Sequence, residues 1–98
     1  MTQKIISAYR NYNQIRADVL TITQNSGMSG IQVTPLCQKA NTSHSRLRTL
    51  LSTLTGTGLI NKIEYDGKNT FVITPKGIQF LAEYKRFSDI AGSFGLEM

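Results

Sequence analysis

Ninety-eight residues, 40% apolar and 17% charged, make one small domain with a modest core and no room for a second. A single cysteine, Cys37, excludes an internal disulfide and a cysteine-rich zinc site, so the fold rests on packing alone. The net charge of +5 favours a polyanionic partner without choosing one.

Residues 1–12 are ambiguous: Ile5, Ile6, Tyr9 and Tyr12 either extend the first helix or pack as an arm. Met1 to Arg10 has no apolar stretch of secretory type. The longest uncharged run, Val19 to Gln38, is broken by polar residues, glycines and Pro35 and does not suit a bilayer. The chain is therefore expected in the cytoplasm. A first helix is predicted over Asn13 to Gln24, where Ile15, Val19 and Ile22 recur at helical spacing beside Leu20. Asn25-Ser26-Gly27 stops it. Thr34-Pro35 predicts the next start, with threonine as cap and proline at the first helical position. This short second helix runs to Ala40, with Leu36, Cys37 and Ala40 inward, Cys37 as inert filler.

Asn41-Thr42 makes a tight turn, and Ser43 caps a third helix that runs to about Thr55. Leu47, Leu50, Leu51 and Leu54 form its core stripe, and Gly56 and Gly58 end it. Leu59 to Tyr65 and Thr70 to Thr74 are predicted strands, joined by the hairpin signal Asp66-Gly67. Thr74-Pro75 starts a last helix that runs to about Ala91, with Gly92 and Gly95 fraying its end. The order helix, helix, helix, hairpin, helix is an α+β class, mostly α. It predicts a helix-turn-helix with a two-stranded wing over residues 13–74 and a C-terminal helix over 75–98.

Three stretches carry a likeness to a known family. They are Thr34-x-Leu36-Cys37-x-x-Ala40-Asn41-x-Ser43, Leu50-Leu51-x-x-Leu54-x-x-x-Gly58-Leu59-Ile60, and Phe71-x-Ile73-Thr74-x-Lys76-Gly77-x-x-Phe80-Leu81-x-x-Tyr84. On these the chain resembles the archaeal winged helix-turn-helix DNA-binding proteins of the Sulfolobus 10a type. The resemblance implies DNA binding and dimerisation through the last helix.

The residues point the same way. Ser45, Thr49 and Ser52 lie opposite the leucines on the third helix, Arg46 and Arg48 flank them, and His44 lies in the first turn. No acidic residue falls between Lys39 and Lys62. A basic, hydroxyl-rich helix face suits the major groove, where arginine meets guanine edges or phosphates. In the wing, Lys68 and Asn69 are candidates for phosphate or minor-groove contact, while Asp66 opposes deep insertion. Phe80, Tyr84, Phe87, Ala91, Phe94 and Met98 follow a 4-3-4-3-4 spacing, a heptad seam that predicts a homodimer. Ile78, Leu81 and Ala82 form a second stripe that is expected to pack onto the domain. The alternative folds the aromatics back onto Tyr9 and Tyr12.

One histidine, scattered acids and the lack of a glycine-rich phosphate loop give catalysis and metal binding no support, so no enzyme activity, metal, cofactor or small-molecule effector is expected. The expected partner is double-stranded DNA, for a dimeric transcription regulator or a small chromatin protein. The competing function is a winged helix used for protein–protein contact without DNA.

Overall fold

The computed structural model describes residues 11–95. The predicted arm therefore lies outside the described residues except for Asn11 and Tyr12, as does Met98 of the heptad seam. Among the described residues four α-helices surround one core: α1 (Tyr12–Asn25), α2 (Val33–Ala40), α3 (His44–Gly56) and α4 (Pro75–Ser93). A two-stranded antiparallel sheet, β1 (Ile60–Tyr65) and β2 (Lys68–Ile73), stands between α3 and α4 in the chain.

Local chemistry sets the boundaries. Asn11 opens α1 with a reciprocal cap: its Oδ1 accepts from the Gln14 amide at 2.8 Å, and Gln14 Oε1 accepts from the Asn11 amide at 3.0 Å. Ile15, Ala17, Val19, Leu20 and Thr23 face inward from α1. The buried Thr23 hydroxyl donates to the Val19 carbonyl at 2.7 Å, so it costs the core no unmade hydrogen bond. A short 3₁₀ turn, Gly27–Ser29, follows.

The next segment departs from the sequence reading. Ile31 pairs with Phe71 as an antiparallel bridge, its amide donating to the Phe71 carbonyl at 3.0 Å and its carbonyl accepting from the Phe71 amide at 2.9 Å. The wing is thereby tied to the start of α2. Gly30 permits the approach: a Cβ there would lie 2.6 Å from Thr70 Oγ1 and 2.7 Å from the Phe71 carbonyl oxygen, at a φ of +80°. Because Ile31 is held in the bridge, α2 starts at once after it. Its cap position is Gln32, which makes no side-chain cap hydrogen bond, and not the predicted Thr34. Pro35 falls at the third helical position, where the missing amide has no intrahelical partner to lose.

Asn41 ends α2 in the left-handed region at φ 54°, and Ser43 caps α3 by accepting from the Arg46 amide at 3.2 Å. The turn is closed by the Cys37 thiol, which donates to the Thr42 carbonyl at 2.9 Å. All four predicted leucines of α3 are buried. Together with Leu20, Leu36, Ile60, Phe71 and Leu81 they make the centre of the core. Each such side chain contributes at most about 1.5–3 kcal/mol through burial.

The hairpin turns on two residues. Tyr65 pairs with Lys68, and Asp66 and Gly67 both have positive φ, 55° and 75°, as a type I′ turn requires. Strand β2 therefore starts at Lys68, two residues before the predicted Thr70. Thr74 joins wing to helix. Its hydroxyl lies within hydrogen-bond reach of the Gly58 and Leu59 carbonyls (2.6 and 3.0 Å) and accepts from the Gly77 amide at 3.0 Å. Gly77 packs so closely that a Cβ would overlap the Leu59 carbonyl oxygen. Helix α4 then passes through Gly92 to Ser93.

The inward face of α4 differs from the predicted one. Gly77, Leu81 and Ala91 are buried, with Tyr84 partly buried against the core. Ile78 and Ala82, expected to pack onto the domain, are exposed. Contact at Gly77 fixes the rotation of the helix, and residues one and five positions later turn away from the domain.

Candidate nucleic-acid interface

Helix α3 divides cleanly into two faces. The leucines anchor one side, and His44, Ser45, Arg46, Arg48, Thr49 and Ser52 are all exposed. At 100° per residue, Ser45, Thr49 and Ser52 lie opposite the leucines, with Arg46 and Arg48 on separate flanks. The Ser43 cap orients the first turn, and Lys39 is exposed in the last turn of α2.

The hydroxyls are not equivalent. Thr49 Oγ1 donates to the Ser45 carbonyl at 3.2 Å, and Thr53 Oγ1 donates to the Thr49 carbonyl at 3.2 Å. Those protons stay within the helix, leaving Thr49 to act outward as an acceptor and a methyl surface.

Alternation along the wing sorts its side chains. The register places Ile60 opposite Ile73 and Lys62 opposite Phe71. Ile60 and Phe71 are buried, so Lys62 lies on the face of the wing that looks toward the core and α3. Arg48 and Lys62 line a common cavity between α3 and the wing. Sequence reasoning missed Lys62; counting by twos from the apolar Ile60 was the signal that finds it.

Lys68 and Asn69 do not join the outer face of α3. They line a cleft with Gln32, Val33 and Thr34 at the start of α2. Gln32 makes no side-chain cap hydrogen bond at the start of α2, and Lys68 lines the same cleft. That pairing suits a phosphate. Asp66 is exposed at the tip, in the left-handed conformation its turn demands.

Arg16 and Lys76 are engaged away from this surface. The Arg16 guanidinium lies 4.7 Å from the Tyr12 ring centroid and donates to Asn13 Oδ1 at 3.0 Å. Lys76 Nζ donates to the Thr57 carbonyl at 2.8 Å, closing the C-terminal end of α3. On and beside α3 the exposed basic residues are Lys39, His44, Arg46, Arg48 and Lys62, with Lys68 apart in the wing cleft.

A winged helix-turn-helix family model matches residues 9–92. The chain belongs to the winged helix-turn-helix family. The matched span runs from before α1 to the penultimate residue of α4. No curated protein matches the chain. In this winged helix-turn-helix, α2 and α3 are the two helices of the motif, and β1 and β2 are the wing.

The predicted dimer seam is split. Phe87 and Phe94 are exposed at 57% and 74%, with Phe80 (37%) and Ile90 (48%) beside them. Tyr84 packs partly on the core, and Ala91 is buried. Among the described residues no group of three or more acidic, histidine or cysteine side chains clusters as a metal site. No described helix is long and apolar enough to cross a membrane.

Proposed function

We propose that the protein binds double-stranded DNA as a homodimeric regulator or small chromatin protein, placing α3 in the major groove. The observation that carries this reading is the outer face of α3. It holds His44, Ser45, Arg46, Arg48, Thr49 and Ser52, all exposed and without an acid among them, inside a winged helix-turn-helix. Arginine on either flank supplies phosphate or guanine contacts, and the central hydroxyls supply base or phosphate contacts. Lys68 and Asn69, in one cleft with the start of α2, add a second phosphate site. The reading is non-enzymatic and uses no cofactor.

The exposed Phe80, Phe87, Ile90 and Phe94 support pairing of two copies through α4, because an apolar stripe of this size is costly to leave in water. The three sequence stretches that resemble the Sulfolobus 10a type support the same arrangement and an archaeal, nucleoid-associated setting. We take residues 13–74 as the DNA-binding unit and 75–98 as the pairing helix.

The test is equilibrium binding of a short duplex by the wild-type chain and by the Arg46→Ala, Arg48→Ala double variant. Neither side chain lies in the leucine stripe, so the variant is expected to fold and to bind weakly. Unchanged affinity would remove α3 as the reading element. Sequencing of genomic fragments retained by the protein then separates a regulator, which recovers a recurrent motif, from an architectural protein, which recovers even coverage.

A further inference from the structure

Between α3 and the inner face of the wing lies a cavity of about 600 Å³. Its apolar lining comes from three elements: Val33 at the start of α2, Leu51 on α3 and Phe71 on β2. Leu51 and Phe71 belong to the buried core and reach the cavity only by their edges. Gly56 lines the cavity too, and a Cβ there would meet nothing within 4 Å. Two exposed cations line it, Arg48 on α3 and Lys62 on β1, and no carboxylate does. Ser52 and Thr55 provide hydroxyls. The Thr55 proton is committed to the Leu51 carbonyl at 2.7 Å.

The volume falls within the range of small-molecule sites, about 300–1,000 Å³, which combine an apolar body with a few placed polar groups. A DNA phosphate satisfies the cations but leaves half-buried Val33 and the small exposed edges of Leu51 (5%) and Phe71 (7%) without a partner. An uncharged apolar molecule covers them but leaves the cations unused.

We propose that this cavity binds a small amphipathic monoanion, an aromatic or medium-chain carboxylate. The carboxylate pairs with Arg48 and Lys62, and the apolar body lies on Val33, Leu51 and Phe71. A consequence rests on the DNA-binding reading: Arg48 cannot serve the carboxylate and the duplex together. The ligand therefore weakens DNA binding, and DNA weakens ligand binding by the same factor.

The site is tested first without DNA, so that its failure is distinct from failure of the DNA reading. Amide chemical shifts of the full chain are followed during titration with 3-phenylpropionate and with its uncharged analogue 3-phenylpropanol. The expected shifts centre on Val33, Ser52, Thr55, Gly56 and Lys62. Lys62→Gln should weaken the carboxylate about three- to tenfold, the loss of one charge-assisted contact, and leave the alcohol unchanged. Absence of these shifts up to about 10 mM carboxylate, beyond the millimolar range of weak ligands, overturns the site. So does equal affinity for the alcohol, or a response centred on Phe87. A second titration adds 3-phenylpropionate to the protein–DNA complex. Release of the duplex is expected; a duplex that stays bound to ligand-saturated protein overturns the competition.

Discussion

Helices α3 and α4 are built alike at their starts and unlike on their outer faces. Both open on a hydroxyl cap, Ser43 or Thr74, and both bury a row of apolar contacts. Beyond that row α3 shows water only serine, threonine, arginine and histidine at its N-terminal turns. In contrast, α4 shows Phe80, Phe87 and Ile90, and its C-cap is the exposed Phe94. A hydrated, cationic surface suits a polyanion that keeps its own water and counterions until contact. An exposed aromatic stripe suits an apolar partner, for which a second copy of α4 is self-complementary. On the proposed reading α3 is a reading surface and α4 an assembling one, and substitutions can separate the two.

The largest effect is expected on the assembling side. Phe87→Glu places a charge in the middle of the apolar stripe and should give monomers by sedimentation at micromolar concentration. Losing the tethered second copy should weaken DNA binding by about 10²–10⁴, the usual range of avidity. A variant that stays dimeric, or a wild type that is monomeric with full affinity, would assign the stripe to another role. Next comes the shared core: Leu50 is fully buried, and Leu50→Ala should cost about 2–5 kcal/mol in denaturant unfolding. The reading face should respond less. Arg46→Ala or Arg48→Ala alone should leave the unfolding midpoint in place and cost about 1–3 kcal/mol of DNA binding where the arginine grips a guanine, relaxing preference at one base pair. Where it meets phosphate, all sequences should weaken alike. Smallest is Lys68→Ala in the exposed wing, expected to cost under about 1 kcal/mol, as for an exposed ion pair, and to reduce the salt slope by about one unit.

Much of this division was legible in the sequence. The leucine row, the Ser43 and Thr74-Pro75 starts and the Asp66-Gly67 turn are local signals, each completed within a few residues, and the structure follows them. The misread parts depend on partners distant in the chain. The Ile31–Phe71 bridge is two hydrogen bonds between segments forty residues apart, with no periodicity to announce it, and it moves the start of α2 from Pro35 to Val33. The rotation of α4 is fixed by close packing of Gly77 on Leu59, so Ile78 and Ala82 point away although their hydrophobicity suggested burial. Lys62 was passed over because its importance comes from the sheet register, which pairs it with Phe71 on the α3 side. The aromatic seam was visible as a spacing, but the spacing alone did not show that Tyr84 and Ala91 turn inward while Phe87 and Phe94 remain outside.

The central claim is that the basic face of α3 and the wing meets phosphates. It is tested most directly by fluorescence anisotropy of a labelled duplex titrated with the wild-type protein over a series of salt concentrations. With about four to six phosphate contacts per dimer, the logarithm of the binding constant should fall against the logarithm of salt with a slope of roughly −4 to −5, at about −0.9 per contact. A slope near zero, or no binding at low salt, would contradict it.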